Sequence, residues 1–563
     1  MGELLRSRSR PDASLGVDGV ATLRVVAFYF VTKPESGRRF PACPGPSKMS
    51  QAIAAAEPLP SAHASDPVAR EPLQFLADPL ADQTMAAVIG SWAWSATDAS
   101  ADDLVAAHAA HWRNIARANN LMATWTSNAT IDSWSPATGV ANDHVAEALT
   151  AYLAAAKAPP EWADAAKIDR AEELFMEYGA LSCLLLFCAS LPECYVLPDL
   201  AAVLHIAGQL EQHTEYRIRS TAAMIFPVMM RGGLTDADGA GVSQTLKVRL
   251  IHATIRNLIL RGDPEQAVRA LQSEVSLSAL GDDVAAMGVI APFAALQDSK
   301  NMHQALFAHG WKTGQDGLPC NQEELAYTLL TFSYVFLRAL RTLGLGLKPA
   351  DEDAYLHAWN VMAHVLGVRH ELMPQSMTEA ETMFRQMQAR GRADITMPNG
   401  VDARPGLGRA LMKSMEDVIP WRMVKPFPAL FTRYLCGNEV AKEIGIDGRV
   451  SWFSRFLFAI TVGVVRAIDA TVRLFVPEFS ISRFITRVVG YQFMAKFLMD
   501  QTRPLKLPDH LLGRVADMMN AWSDDPKAPD WMNRLEDRLT ITGDWQAKVS
   551  SAGHATQRAS GAQ

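Results

Sequence analysis

From about residue 70 onward the chain places apolar side chains three and four residues apart with little interruption, and that spacing restricts it to helices. Stretches such as RAEELFMEYGALSCLLLFCASL and EELAYTLLTFSYVFLRALRTLG carry the pattern, and turns such as RGGLTDADGAG punctuate it. Alternating runs of the kind a half-buried strand needs are scarce. Neither a solenoid repeat nor a heptad array is visible. The expected fold is therefore all-α, a single large multi-helix domain followed by a C-terminal amphipathic helical extension. With 49% of 563 residues hydrophobic, there is material for a large core.

The ends read differently. Residues 1–70 include RSRSRPDAS, PACPGPS and AEPLPSAHASDP, which cannot build a core and are read as a disordered arm. Within them VATLRVVAFYFV is too short to span a bilayer, and no convincing cleavage site follows it. Arg6 removes a myristoylation pattern at Gly2. The expected division is an arm over 1–70, a helical body over 71–450, basic amphipathic helices over 451–540 and a flexible tail over 541–563.

The 53 basic and 60 acidic residues give a net charge of −7, which offers no electrostatic case for nucleic acid. The six cysteines, at 43, 183, 188, 194, 320 and 436, include no C-x-x-C pair, so a reducing, cytoplasmic setting is expected. Cys183, Cys188 and Cys194 lie in an apolar run at gaps unlike a zinc knuckle and read as small core hydrophobes.

Familiar catalytic patterns are absent: no phosphate-cradling G-x-x-x-x-G-K-[ST], no G-x-S-x-G and no H-E-x-x-H. GLGRAL at 406–411 lacks the third glycine of a dinucleotide loop. His108 and His111 share a helix face but have no carboxylates in phase, so an exposed face beside Trp112 is expected. His357 and His364 receive the same non-metal reading. Glu177, an acid in the apolar segment LFMEYG, is a candidate base, with surface exposure as the plainer expectation.

Two segments gather polar groups on apolar helices. In EYRIRSTAAMIFPVMMRGGL, Arg217, Thr221, Met224 and Val228 fall along one stripe with Ser220 beside it, and Pro227 should kink the helix. Arg217 has a competing structural role, pairing with Glu211 or Glu215. In KVRLIHATIR, His252 is flanked by Arg249 and Arg256 among Val248, Ile255 and Ile259. An imidazole in apolar surroundings with cations at its rim suits haem, offering a nitrogen for iron and guanidinium groups for propionates. On residues alone His252 is either such a ligand or a core histidine.

Taken together, RIRSTAAMIFPVMMRGGL, VRLIHATIR, LPCNQEELAYTLLTFSYVFLRALRTLG and AYLHAWNVMAHVLGV resemble blocks of the MpaB-type oxygenase family, which takes in the rubber-cleaving latex clearing proteins. ASLPECYVLP and LFTRYLCGNEVAKEIGI extend the likeness over about 170–450. The resemblance implies an all-α oxygenase with haem b held by His252 as the proximal iron ligand, and with Arg249 and Arg256 as cofactor-binding residues. It also implies Arg217 and Thr221 on the opposite face, in an R-x-x-K-T pattern whose lysine position is here Ser220. The implied chemistry is oxygen attack on a carbon–carbon double bond of a hydrophobic substrate, isoprenoid or lipid-like. The alternatives are a cofactor-free helical protein of the membrane surface and a peroxidase-like haem protein.

The run RFLFAITVGVVRAIDATVRLFVP places Arg455, Arg466, Asp469 and Arg473 on one narrow face. An arginine at the bilayer centre costs about 2.5–3.5 kcal/mol, so a helix lying in the interface fits better than a spanning one. ISRFITRVVGYQFMAKFLM adds Arg483, Arg487 and Lys496. Peripheral contact with anionic lipid through 451–500 is one expectation; packing on the body with the basic face in water is the other.

Overall fold

The computed structural model describes residues 72–90, 101–136, 143–178, 180–208, 214–261, 317–393, 402–419, 421–472 and 534. The N-terminal arm, Cys43 and the tail lie outside them, as do Arg473, Arg483, Arg487 and Lys496. The chain divides after Arg70, and the larger unit spans Glu71–Gln563. Among its described residues all regular structure is helical.

Local signals start and stop many of these helices. A 3₁₀ turn, Leu73–Phe75, leads to Asp78, which caps α1 (Pro79–Ile89) by accepting from the Ala81 N–H at 3.4 Å. Then come α2 (Ala101–Ala123), α3 (Asn128–Asp132) with a Ser127/Thr130 capping box, and α4 (His144–Ala156) capped by Asp143. After α5 (Ala165–Tyr178), α6 (Ala180–Leu185) runs through a π turn, Leu186–Ser190, into α7 (Leu191–Cys194). The middle of the unit contains α8 (Pro198–Gly208), α9 (Thr214–Met229) and α10 (Gly241–Arg261).

Asn321 caps α11 (Gln322–Phe332), which passes through Ser333 into α12 (Tyr334–Leu343). Pro349 opens α13 (Pro349–Leu366), and Gly367 closes it at φ +88°. The series ends with α14 (Met377–Ala393), α15 (Arg404–Val418), α16 (Phe427–Cys436), α17 (Asn438–Glu443) and α18 (Trp452–Val472).

Helix α10 packs on α9, α1 and α13, and α13 in turn packs on α5. One continuous core joins these elements, with Trp125, Tyr152, Trp359, Tyr355 and Phe175 fully enclosed. Phe336 stacks on Tyr355 at 4.9 Å, and Phe332 on Trp359 at 5.8 Å. The cysteines at 183, 188 and 194 are buried in this core as thiols, matching their reading as small hydrophobes.

Several of the charges that enter the interior do so as partnered groups. Glu193 receives Arg338 and the Gln388 amide, the latter at 2.7 Å. Arg390 joins Glu323 at 2.6 Å and Asp199 at 2.9 Å. No single described helix is long and apolar enough to cross a membrane. One bent pair, Ala165–Tyr178 with Leu181–Cys194, passes on length and composition, but its apolar residues lie in the core.

The tightest link between α1 and α10 is the Asp78–Arg249 pair, with the two side chains 5% and 11% exposed. Truncation would leave a desolvated carboxylate alone, so Arg249→Ala is expected to cost about 3–5 kcal/mol. Asp82 is 27% exposed but its partner Arg256 only 3%; Asp82→Asn keeps an oxygen acceptor for the guanidinium and is expected to cost less, about 1.5–3 kcal/mol. Urea unfolding followed by circular dichroism checks both; equal losses would contradict the assignment of the clamp to Asp78.

Candidate functional site

His252 lies midway along α10. Its Nδ1 is enclosed by protein with no hydrogen-bond partner, and no described residue bonds to the ring. Burial pushes the imidazole pKa down to about 4, assisted by the Arg256 cation one turn away and opposed by Asp78. The ring is therefore neutral at pH 7, with a lone pair available to a metal. Val248 and Ile255, one turn to either side, are half-buried like His252 itself, and Ile259 is enclosed. This face of α10 is thus apolar and partly open. Across the hairpin, α9 presents Thr221 and Met224, both half-buried.

The flanking arginines are engaged elsewhere, which revises the expectation that they form a propionate rim. Arg249 donates from Nε to Asp78 at 2.5 Å, from Nη2 to Asp78 at 2.8 Å and from Nη1 to the Val365 carbonyl at 3.2 Å. Arg256 donates to Asp82 at 2.8 Å and to the carbonyls of Pro319 and Cys320 at 3.2 and 2.5 Å. Every guanidinium nitrogen of both residues has an acceptor. Gly367 makes room for the first pair, since a Cβ there would lie 2.5 Å from the Asp78 carboxylate and 2.6 Å from Arg249 Nε. Gln322 completes the junction, donating to the Ala77 and Gly367 carbonyls at 3.0 and 2.9 Å and accepting from the Arg369 N–H at 2.9 Å. The site residues therefore act at two levels: His252 faces the open side, while Arg249 and Arg256 fix the helix that carries it.

Arg217, Ser220 and Thr221 all lie on α9. The side chains of Arg217 and Ser220 lie outside the described residues, as do those of Glu211 and Glu215. Pro227 sits inside α9, as the sequence indicates. The loop into α10 folds back over the end of α9, and Gly233 permits it, because a Cβ there would lie 2.2 Å from the Pro227 carbonyl oxygen. Glu172 fastens this loop by accepting the Gly232 N–H at 2.6 Å, and burial pushes its carboxyl up to about 7.

Other sequence candidates fall outside the site. His111 is buried rather than exposed, with Nδ1 2.7 Å from the Ile89 carbonyl, because α2 turns that face onto α1; the His108 side chain lies outside the described residues. His357 and His364 pack edge-on against Trp162 at 5.6 and 6.1 Å, and His357 Nε2 accepts the Asp164 N–H at 2.8 Å. Among the described residues no group of three or more His, Cys, Asp or Glu is placed to hold a metal ion. Glu177 is not a free surface acid; Arg170 bonds it at 3.2 Å while also holding Asp351 at 2.8 Å.

Sequence reasoning missed Asp78, Asp82, Gln322 and Lys247. The acidic pair had a readable signal, two carboxylates four residues apart beside a helix-starting proline. Lys247 lies about 140° around α10 from His252. It is 4% exposed, and burial alone pushes its amine down to about 7, with no ion pair to a described residue. One turn earlier, Gln244 is fully buried with neither amide atom hydrogen-bonded.

Comparisons with known proteins bear on this arrangement. Residues 292–467 match the family described as ER-bound oxygenase mpaB/B'/Rubber oxygenase, catalytic domain. The matched stretch starts beyond α10, so it includes α11 through α17 and most of α18 but not His252. The Rubber oxygenase of Streptomyces sp. (strain K30) is 23% identical over 335 residues, which make up 58% of this chain and 65% of that protein. The chain thus spans just under two thirds of that relative's length. Latex Clearing Protein LCP in its closed state aligns with 70% of this chain and 85% of its own, at 20% identity and a TM-score of 0.44.

The lone Lys247 amine has a measurable consequence. Its proton is held to about pH 7 in the folded chain and to the ordinary 10.5 in the unfolded one. Between those values the unfolded state binds more protons, so this group makes stability rise with pH. Lys247→Met is expected to stabilise the protein at pH 7 and to flatten the rise from pH 7 to 8.5. Parallel slopes for wild type and variant in thermal unfolding would contradict this.

Proposed function

We propose that the chain, which over residues 292–467 matches the ER-bound oxygenase mpaB/B'/Rubber oxygenase catalytic-domain family, is a haem b-dependent oxygenase. Its substrate is assigned as hydrophobic and unsaturated, isoprenoid or lipid-like. The observation that carries this reading is His252, a neutral imidazole whose enclosed Nδ1 has no hydrogen-bond partner among the described residues, on the half-open apolar face of α10. A histidine placed only for packing would be expected to bond its enclosed nitrogen.

A bound haem would supply an iron able to activate dioxygen. His252 would hold that group, and at neutral pH it carries no extra proton to displace. The Asp78–Arg249 and Asp82–Arg256 pairs fix the register of α10 and hence the position of the imidazole. Val248, Ile255, Ile259 and Met224 provide apolar surface that excludes water and suits both a macrocycle and a greasy substrate. Thr221, Arg217 and Ser220 are assigned by the family resemblance to the α9 side, where hydroxyl and guanidinium donors would orient oxygen or a polar end of the substrate. Ser220 offers a hydroxyl where the rubber-cleaving pattern has an amine; that departure bears on rubber cleavage itself and not on the broader hydrophobic, isoprenoid or lipid-like class. The net reaction adds the two atoms of dioxygen across a carbon–carbon double bond and breaks it, leaving two carbonyl ends.

The purified protein, reconstituted with haem if needed, is expected to show a Soret band that His252→Ala loses or shifts. A protein that stays colourless with excess haem would remove the proposal and favour a cofactor-free helical protein. Incubation of the reduced holoprotein with oxygen and an unsaturated isoprenoid should yield carbonyl-ended products. Turnover only on adding peroxide would assign a peroxidase instead.

A further inference from the structure

Helix α18 carries the most concentrated apolar exposure among the described residues. Trp452 is 76% exposed, Phe456 54% and Phe453 43%, so three of the six large exposed hydrophobics fall within five residues. The exposure also has a side. Trp452, Phe456, Ala459, Gly463 and Ala467 follow one another at helical spacing along a single outward strip, and all are exposed. Arg455 and Arg466 lie along one edge of that strip, and exposed Arg449 precedes it. None of these three arginines forms an ion pair with a described residue; Arg466 donates from Nη1 to the Tyr434 hydroxyl at 2.6 Å. The inner side is fastened to the body through Phe458, which meets Phe427 edge-on at 5.4 Å. Ser454 is buried there.

A normal surface helix turns its one apolar strip to the core, whereas α18 has Phe458 on the core side and a second, aromatic strip in solvent. We infer that α18 docks this protein onto an anionic phospholipid surface. The aromatic cluster of its first turn enters the headgroup boundary, and the arginine edge meets lipid phosphates. Aromatic rings at one end and guanidinium groups alongside match the two terms of interfacial binding: buried apolar area and attraction to negative lipid. The small residues after the first turn let the helix lie flat on the bilayer instead of entering it. The attachment is accordingly reversible and weakened by salt, because exposed arginines act through a screened field. The inference does not depend on haem, and its failure leaves the assignment of His252 untouched.

Flotation of the full chain with phosphatidylcholine vesicles, with and without 30–40% phosphatidylserine (roughly the charge density at which surface fields matter), tests it. Wild type should float with the anionic vesicles and sink with the neutral ones. W452A/F453A/F456A should reduce the floating fraction roughly tenfold, and Arg455→Gln or higher salt should reduce it in part. Because the triple variant could perturb folding, a second readout uses Trp452→Phe, which should still float while losing part of the tryptophan quenching by brominated lipid. Wild type that stays unbound, or variants that float as it does, would overturn the inference. So would light scattering that shows a wild-type dimer broken by the triple variant, since the strip would then join two copies of this chain.

Discussion

Two carboxylates on α1 and two guanidinium groups on α10 determine where everything else at the site can be. Asp78 and Asp82 lie four residues apart, Arg249 and Arg256 seven apart, so each pair occupies one face of its helix and the pairs meet in register. A slip of α10 by one residue would rotate both arginines by about 100° and leave two buried charges alone. The clamp is costly to assemble, since four ions lose water. It is held because the remaining donors are also met, by the carbonyls of Val365, Pro319 and Cys320. The positive φ of Gly367 and the Gln322 bridge belong to the same arrangement, since both bring the end of α13 against the Asp78–Arg249 pair.

With one face of α10 committed to that clamp, the other faces become interpretable. His252 shares the open side with Val248 and Ile255, and burial, assisted by the Arg256 cation, keeps it neutral. Lys247 and Gln244 lie on a third side, buried and without a polar partner among the described residues. Strong helix amphipathicity is not to be expected of a segment with three different tasks, and α10 has apolar and polar residues all round. The fold tolerates this because α10 is central, with α9, α1 and α13 each covering part of it.

How much of this could be read in advance depends on range. Helical class is a local property, and the three-and-four spacing from residue 70 onward displays it openly. The placement of the cysteines in the core was equally local, since an apolar run buries whatever small residues it contains. Partnership is not local. Arg249 and Arg256 looked like a rim for an anion because the sequence shows two cations beside a histidine and hides the acids some 170 residues earlier that claim them. His111 looked exposed for a similar reason: the Ile89 carbonyl it approaches belongs to a different helix. Lys247 was unremarkable in sequence, because only packing reveals that no described acid lies within its reach.

The arrangement of α18 gives the hydrophobic-substrate reading a physical setting. A greasy unsaturated molecule has a low free concentration in water and accumulates in bilayers, so an enzyme held at the bilayer surface meets it at a far higher local concentration. For such a protein an exposed aromatic strip is no longer a liability awaiting aggregation; it is covered whenever the protein is at work. Soluble packing of the same helix would have placed Trp452 and Phe456 inward and left Ser454 outside. The observed rotation is the opposite, with Ser454 buried and both rings in solvent. An apolar surface laid against the rings would make that rotation favourable, and the exposed arginines beside them would favour a negatively charged one.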